Sequence, residues 1–229
     1  MSEIKIIDVK RSILEDNDAD AEALRAELKK SGTFYLNLMS SPGSGKTSTI
    51  LSLIPYLRDD FRIAVMEADI DSDVDARRIL SESQIPAVQL HTGGMCHLDA
   101  DMSRQGLNEL NAQHPEGFDL VILENVGNLV CPAEFDTGAV KNVCILSVPE
   151  GDDKPLKYPL MFEIAHAVLI NKMDTLSVFD FDPEKAESNI HMRNGSAAIF
   201  RISAKKQEGI RAFAEWLKAE ISEWRSYAV

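Results

Sequence analysis

The sequence has 229 residues, of which 45% are hydrophobic, enough to bury one sizeable core, so a disordered chain is excluded. Its 24 lysines and arginines against 37 aspartates and glutamates give a net charge of −13, which repels nucleic acids and anionic membranes. No apolar run approaches the roughly 20 residues that span a bilayer, and the polar N terminus lacks a signal-peptide core, so we expect a cytoplasmic protein without nucleic-acid or membrane partners.

Residues 1–32 are predicted to form an N-terminal extension that packs on one following domain, residues 33–229. Within the extension, residues 18–30 (DADAEALRAELKK) are rich in strong helix formers and end at Ser31-Gly32, a plausible helix stop. The rest of the chain has no internal repeat, low-complexity tract or long linker. A single domain is therefore the simplest interpretation.

From Thr33 onward, short apolar runs alternate with helical patterns. The candidate strands are TFYLNLMS, RIAVME, AVQL, DLVILE, VCILSV, AVLIN and AAIFRI, and the candidate helices are Lys46–Leu57, Ser72–Ser83, Leu98–Asn111 and Gly209–Arg225. Continuous apolar runs are typical of strands buried on both faces. We therefore predict an α/β fold with a mostly parallel sheet flanked by helices, whose ligands lie at the carboxyl ends of the strands.

The first strand leads into a glycine-rich loop and then a helix, which is the context of a P-loop. Backbone N–H groups of such a loop surround phosphates, Lys46 can reach the β- and γ-phosphates, and the Thr47 hydroxyl can ligate Mg²⁺. The general pattern begins with glycine, where this chain has Ser40. A chance GSGKT is the alternative, which the flanking strand and helix disfavour. The predicted phosphate-binding residues are Gly43, Ser44, Gly45, Lys46, Thr47 and Ser48.

A base pocket is predicted from Asn171-Lys172-Met173-Asp174, directly after the strand AVLI. The Asp174 carboxylate can accept from both N1–H and the exocyclic amine of guanine, whereas adenine offers no matching donors. The hydrophobic stem of Lys172 can cover the base. Ser203-Ala204-Lys205 resembles the GTPase loop whose backbone N–H meets guanine O6. The order of the motifs favours GTP over the alternative of a kinase or an ATPase.

Acidic residues at two strand ends are candidates for holding magnesium. Asp69 follows RIAVME, and Glu124 ends DLVILE. Magnesium prefers oxygen ligands and keeps several waters, so one or two carboxylates with Thr47 and a phosphate suffice. We predict a catalytic set of Lys46, Thr47, Asp69 and Glu124. A solvated face with a helix N-cap is the alternative for the acidic run of Asp69, Asp71, Asp73 and Asp75, so Glu124 is the safer choice.

Two further loops carry soft ligands, with Cys96 and His97 in one and Cys131 in the other. Cys96 and His97 are expected to start the helix Leu98–Asn111, whose dipole would favour a thiolate. Zinc and nickel accept thiolate and imidazole ligands. The alternative is that isolated cysteines are buried small hydrophobes, as we interpret Cys144 within VCILSV. The odd number and wide spacing of the cysteines, without a CxxC pair, leave both possibilities open and disfavour disulfides.

The blocks LNLMSSPGSGKT, DVDARRI, GGMCHLDADM, ENVGNLVCPAEFD, PEGDDKPLKYPLMF and INKMD occur in the order found in HypB proteins. From about Val9 to the C terminus the chain resembles that family of GTPases, which help load nickel into hydrogenase precursors. The resemblance implies the SIMIBI class of P-loop folds and a homodimer formed on GTP binding. It implies GTP or GDP with Mg²⁺, held by the P-loop, Asp69, Glu124 and NKMD, and nickel or zinc on Cys96, His97 and Cys131. The implied partners are a HypA-like nickel protein and the large-subunit precursor of a [NiFe]-hydrogenase.

Some positions depart from that family or stay open. The chain has neither a histidine-rich tract nor an additional N-terminal cysteine cluster, so nickel storage is not predicted. Some relatives carry histidine where Asp101 stands, which leaves the fourth metal ligand open; His91 is a candidate, although a solvated loop residue is its commoner role. Lys154 or Lys157 is a candidate for a basic group supplied across a dimer, with a solvated turn as the favoured alternative for each.

Two other functions are alternatives to a hydrogenase-type nickel GTPase. A urease-type nickel GTPase would carry its ligands around Cys-Pro-His, whereas Cys96-His97 and Cys131-Pro132 in this chain favour the hydrogenase branch. A non-catalytic metal-binding protein would use its P-loop only as a dimerisation switch, and it would release no phosphate from bound GTP.

Overall fold

The structure is a computed structural model that describes residues 9–70 and 72–226. Its strands are β1 (Phe34–Ser40), β2 (Ile63–Asp69), β3 (Ala87–His91), β4 (Leu120–Glu124), β5 (Lys141–Ser147), β6 (Ala167–Asn171) and β7 (Ala198–Arg201). Its helices are α1 (Val9–Ser31), α2 (Lys46–Leu57), α3 (Val74–Ser83), α4 (Ala100–Gln113), α5 (Cys131–Glu134), α6 (Lys154–Lys157), α7 (Pro159–Glu163), α8 (Pro183–Arg193) and α9 (Ile210–Ser226).

The seven strands form one parallel sheet in the order β3-β2-β4-β1-β5-β6-β7. Every residue of β1, β4 and β6 is buried, because helices cover both faces of the sheet. On one face α2 and α9 pack against β1 through Leu53 and Phe213, and on the other α1 and α4 contribute Leu24 and Leu107. This arrangement confirms the predicted α/β P-loop fold.

The seven predicted strands and the four helices predicted after Thr33 are all present, with ends that differ by at most two residues. One of these small differences matters for the site, because α4 begins at Ala100 and not at Leu98. The prediction missed the short helices α5, α6 and α7 and the longer α8. For α8, Asp182 and Pro183 supply a start signal: the Asp182 side chain accepts from Lys185 N, and proline occupies the first turn.

Helix α1 lies against the sheet domain. It extends from Val9, well before the predicted start at residue 18. Arg25 donates to both carboxylate oxygens of Asp136 at 2.9 and 2.8 Å, and Lys29 Nζ donates to Trp224 O at 2.6 Å. Residues 1–8 of the predicted extension and residues 227–229 of the predicted domain lie outside the described residues, and the division at residue 32 stays a prediction.

Within the described ranges, no helix combines the length and the apolar character needed to cross a lipid bilayer. The carboxyl ends of β1, β2, β4, β6 and β7 lie at one edge of the sheet because all the strands run parallel. The loops that follow these strands carry the P-loop and both other predicted nucleotide motifs. The fold therefore gathers at one edge residues that are far apart in sequence.

Candidate functional site

The P-loop lies between β1 and α2 and depends on two glycines in the left-handed region. Gly43 has φ of +72° and Gly45 of +102°. A Cβ on Gly45 would lie 2.6 Å from Asn171 Nδ2, whereas a Cβ on Gly43 would have no neighbour within 4 Å. Glycine at position 45 is therefore required both by its backbone and by the close approach of the base-pocket loop.

Ser40, which stands where the general motif has glycine, is completely buried at the start of this loop. Its hydroxyl donates to Ser41 O at 2.9 Å, and it lies 2.5 Å from the Ser44 hydroxyl and 3.3 Å from Lys46 Nζ. The serine is thus accommodated as a hydrogen-bonding member of the loop. Lys46 itself is 9% exposed, so its ammonium group is directed into the loop and not into solvent.

An acidic cluster lies beside the P-loop, in a cavity of about 300 Å³. Ligand oxygens of Glu67, Asp75 and Glu124 all lie within 4.8 Å of one another. The Thr47 hydroxyl donates to Glu124 Oε1 at 2.9 Å. The other carboxylate oxygen of Glu124 and Oε2 of Glu67 are buried without a hydrogen-bond partner. Such oxygens are suitable for a hydrated divalent cation.

Burial dominates the acid–base properties of this cluster. It raises the pKa of Glu124 to about 7, an effect that the nearby Lys46 charge partly offsets. It raises the pKa of Glu67 to about 8, and the neighbouring charge of Glu124 adds to the increase. A bound cation would favour the ionised carboxylates and reverse both shifts.

Asp69, predicted for magnesium, lines the same cavity. Its Oδ1 accepts from Ser72 N at 2.8 Å. The carboxylates that converge with Glu124 belong to Glu67, which the prediction missed, and Asp75, for which a solvated face was the alternative. Glu67 lies between Met66 and Ala68 in β2, and an acidic residue within this apolar stretch was the available signal. Asp73 occupies the N-cap position of α3 and pairs with Arg77, which agrees with the alternative of a solvated face with a helix N-cap. Asp71 lies outside the described residues.

The predicted base motifs surround a neighbouring cavity of about 560 Å³. Asn171, 1% exposed, links three loops: its Nδ2 donates to Ser44 O at 2.9 Å, and its Oδ1 accepts from Lys172 N at 2.7 Å and Ala204 N at 3.1 Å. The predicted residues that line this cavity are Gly45, Ser48, Asn171, Lys172, Asp174, Ala204 and Lys205.

Asp174 and Lys172 have defined partners around this cavity. The Ser203 hydroxyl donates to Asp174 Oδ1 at 2.6 Å, and this hydrogen bond lowers the pKa of Asp174, so the group is an anionic acceptor at neutral pH. Lys172 has φ of +63° and donates from Nζ to Gly43 O at 2.6 Å, so its alkyl stem lies between the base-pocket loop and the P-loop.

The two loops with soft ligands meet. Cys96 Sγ and Cys131 Sγ are 2.6 Å apart, and His97 Nδ1 lies 4.0 Å from Cys96 Sγ. The His97 ring stacks on Phe135 with centroids 3.7 Å apart. Burial lowers the pKa of His97, which favours the neutral imidazole that a metal needs, and the contact with Cys96 raises the pKa of Cys131. The arrangement brings two sulfurs and one imidazole to one place.

The expectation that Cys96 and His97 start a helix is wrong. Asp99 is the N-cap of α4, and its side chain accepts from Met102 N at 2.8 Å, so both metal-ligand candidates lie in the preceding loop. A stable side-chain cap at Asp99 is the physical reason. Dipole stabilisation of a Cys96 thiolate therefore loses its basis, since that effect is confined to the first turn.

The other residues that the sequence analysis singled out lie outside the nucleotide and cysteine clusters. Asp101 accepts from Gln105 on the exposed face of α4, and His91 is the exposed last residue of β3. Lys157 pairs with Asp153 at 2.6 Å, and Lys154 Nζ lies 5.0 Å from the centre of the Tyr158 ring. Cys144 is completely buried in β5, as its interpretation as a small hydrophobe requires.

Comparisons with known proteins show the family of this chain. The family described as "CobW/HypB/UreG, nucleotide-binding domain" matches residues 34–201. A hydrogenase maturation factor HypB from Rhizobium leguminosarum bv. viciae is 44% identical over 95% of this chain and 72% of the relative. A hydrogenase/urease maturation factor HypB from Helicobacter hepaticus is 41% identical over 94% of this chain and 90% of the relative.

The fold of this chain is also similar to those of solved structures. HypB from Helicobacter pylori, crystallised in complex with nickel, superimposes with a TM-score of 0.86 at 39% identity, covering 91% of this chain and 96% of that one. The signal recognition particle 54 kDa protein from Aeropyrum pernix, in complex with GDP, has a TM-score of 0.57 at 12% identity, covering 100% of this chain and 57% of that one. The second likeness concerns the fold alone.

Proposed function

This chain belongs to the HypB branch of the CobW/HypB/UreG family of P-loop GTPases, and on that premise we propose that it hydrolyses GTP to deliver nickel into a [NiFe]-hydrogenase precursor. The observation that carries the proposal is the convergence, at one sheet edge, of the nucleotide loops and the loops that hold Cys96, His97 and Cys131. A HypA-like nickel protein and the hydrogenase large-subunit precursor are the proposed partners in the cytoplasm.

The proposed nucleotide is GTP or GDP. Asp174 offers guanine a carboxylate acceptor that Ser203 orients, and Asn171 holds the Ala204 N–H beside the same cavity. The charged acceptor matches the two donors of guanine and has no counterpart for adenine. Gly43, Ser44, Gly45, Lys46, Thr47 and Ser48 would surround the phosphates, with Lys172, Ser203 and Lys205 around the base.

For hydrolysis, the chain would supply position and charge. Lys46 and the P-loop N–H groups would hold the β- and γ-phosphates. Thr47 and Glu124, supported by Asp69 or by Glu67 and Asp75, would hold a magnesium ion, which would supply positive charge beside the phosphates. The buried, unpartnered oxygens of Glu67 and Glu124 support that fit. Intrinsic turnover is expected to be slow, on the order of 10⁻⁴ to 10⁻² s⁻¹.

The proposed cargo is nickel, with zinc as a competing ion. Two thiols and a neutral imidazole from one chain leave a tetrahedral ion with an open position, which a second copy could complete at a two-fold axis. We therefore propose that GTP favours a homodimer in which Cys96, His97 and Cys131 of both copies share the metal. Lys154 or Lys157 would then be available to the partner's γ-phosphate.

A combined assay tests this function. Phosphate release is measured with GTP and with ATP, in magnesium and in EDTA, for the wild type and Lys46→Ala. Nickel binding is then measured by equilibrium dialysis in the GDP state and with a non-hydrolysable GTP analogue. We expect magnesium-dependent release from GTP alone and a nucleotide-dependent nickel affinity. If the wild type releases phosphate no faster than Lys46→Ala, the chain is a non-catalytic metal-binding protein.

A further inference from the structure

Asn17 on α1 forms hydrogen bonds to the two segments that follow the cysteine-bearing stretches of the chain. The residue is 8% exposed. Its Nδ2 donates to Asp136 O at 3.0 Å, and its Oδ1 accepts from Ala100 N at 2.9 Å. Ala100 follows the Cys96-His97 loop, and Asp136 follows the segment that begins at Cys131. One buried amide from the N-terminal helix therefore links segments that are 36 residues apart in sequence.

We propose that Asn17 is a positioning residue for the candidate nickel site. It would hold the first turn of α4 and the segment after α5 in fixed relation, so that Cys96, His97 and Cys131 reach one ion. The inference rests on the proposed function, in which these three side chains bind the metal. It gives α1 a role in metal binding although α1 contributes no ligand.

The hydrogen bond from Ala100 N to Asn17 fixes the loop of Cys96 and His97, because Ala100 is the first residue of α4 and directly follows that loop. The first N–H groups of a helix have no partner within the helix. Asp99 accepts one of them, from Met102 N, and Asn17 accepts another, from Ala100 N. The backbone three residues after His97 is therefore tied to α1 and not to water.

The hydrogen bond to Asp136 acts on the other loop. Asp136 directly follows Phe135, whose ring stacks on the His97 ring at 3.7 Å. A shift of the Asp136 backbone would move Phe135 and disturb the orientation of His97. Partners that orient metal ligands in this way typically change metal affinity by 10- to 100-fold when they are removed.

Other contacts attach α1 to the domain and supply a matched control. Arg104 on α4 pairs with Glu27 and donates to Asp20 O at 3.3 Å. These bonds connect α1 to the body of α4 and touch neither cysteine loop. Arg104→Ala should weaken the docking of α1 while the link between the loops stays intact.

The first measurement needs no metal. A bifunctional thiol reagent such as dibromobimane bridges two cysteines only when their sulfurs lie close together, so the rate of bridging Cys96 to Cys131 reports loop alignment. With Cys144→Ala as the common background, we expect Asn17→Ala to slow bridging about tenfold and Arg104→Ala to leave it within twofold of the background. Asn17→Asp, which keeps the acceptor for Ala100 N, should be intermediate.

The second measurement is a nickel titration followed by thiolate-to-nickel charge-transfer absorption, with GDP affinity as the control for folding. We expect Asn17→Ala to weaken nickel by roughly 10- to 100-fold at unchanged GDP affinity. Bridging at the background rate in Asn17→Ala overturns the inference, as does equal slowing by Arg104→Ala. If the wild type shows no cysteine-dependent nickel binding, the proposed function fails, while the bridging rates still decide whether Asn17 aligns the loops.

Discussion

Glu67 and Glu124 lie directly opposite each other on the neighbouring parallel strands β2 and β4, and each has a buried carboxylate oxygen without a hydrogen-bond partner. Parallel pairing directs the two side chains to the same face, so two acidic groups share one small cavity beside the P-loop. An arrangement of this kind is costly when both groups are ionised. Its energetic cost is the basis of the first prediction.

The first prediction concerns stability against pH without magnesium or nucleotide. In the folded chain the pKa of Glu67 is raised to about 8 from its ordinary 4.5, by burial first and then by Glu124, Asp69 and Asp75. The folded state therefore binds protons more tightly than the unfolded state. The contribution of protonated Glu67 to the free energy of unfolding is therefore fully present below pH 4.5, and it is lost as pH rises toward 8. Glu124, with a pKa of about 7 beside Lys46, adds to the loss.

Urea unfolding in EDTA at several pH values measures this effect. We expect Glu67→Gln to gain a few kcal/mol relative to wild type at pH 8.5, since each unit of pKa difference corresponds to about 1.4 kcal/mol. Magnesium with GDP should reduce the pH dependence of the wild type. Identical pH profiles for the variant and the wild type would mean that Glu67 is not the titrating group.

The second prediction concerns base choice. Asp174→Asn should weaken GTP binding and improve the relative binding of xanthosine triphosphate. The amide donor of asparagine clashes with the donors of guanine but suits the carbonyl that xanthine carries at position 2. The relative affinities should change by about 3 kcal/mol. Ser203→Ala is the matched control: it removes the 2.6 Å hydrogen bond to Asp174 but keeps the carboxylate, so preference for GTP should persist. Unchanged relative affinities in Asp174→Asn would remove this residue from the base pocket.

The third prediction compares two glycines of the P-loop. Gly45→Ala should weaken GDP binding by roughly tenfold or more. A residue with a side chain is strained at φ of +102°, and its Cβ would lie 2.6 Å from Asn171 Nδ2. Gly43→Ala has comparable backbone strain at φ of +72° but no neighbour within 4 Å, so its loss should be smaller. Isothermal titration with GDP measures both. Equal losses would show that the contact with Asn171 is unimportant.

The fourth prediction concerns the phosphate-binding lysine. Lys46→Ala should reduce nucleotide affinity by roughly 100-fold or more, since it removes a charge-assisted contact to phosphate, while circular dichroism stays that of a folded protein. Ser40→Gly restores the general motif and removes one hydrogen-bond partner of Lys46, and it should retain nucleotide binding. Normal GTP hydrolysis by Lys46→Ala would overturn the P-loop assignment.

The fifth prediction concerns the metal and the dimer. Sedimentation combined with metal analysis should find more dimer with a GTP analogue than with GDP, and Cys96→Ala and Cys131→Ala should both lose nickel while keeping nucleotide. Cys144→Ala, whose parent side chain is buried in β5, should lose some stability but no metal. A wild-type monomer that holds nickel fully in every nucleotide state would contradict the shared site.

The amino-acid sequence by itself determined the fold class and the order of the motifs. The seven strands were predictable because each is a short apolar run, and helix α2 was predictable from its apolar periodicity after the glycine-rich loop. The candidate roles of Lys46 and Asp174 also came from local patterns, since a P-loop and an NKxD motif are contiguous segments. Such features depend on neighbouring residues and not on which segments meet in space.

Tertiary structure alone decided which distant side chains converge. The position of β2 beside β4 brings Glu67 opposite Glu124, and that strand order depends on pairing across more than fifty residues. The meeting of Cys96 with Cys131 likewise depends on two segments that are 35 residues apart in sequence. Asn17 reaches Ala100 and Asp136 only because α1 packs across both loops. Hydrophobic periodicity is a local signal, whereas these contacts depend on how the packed layers are arranged around the core.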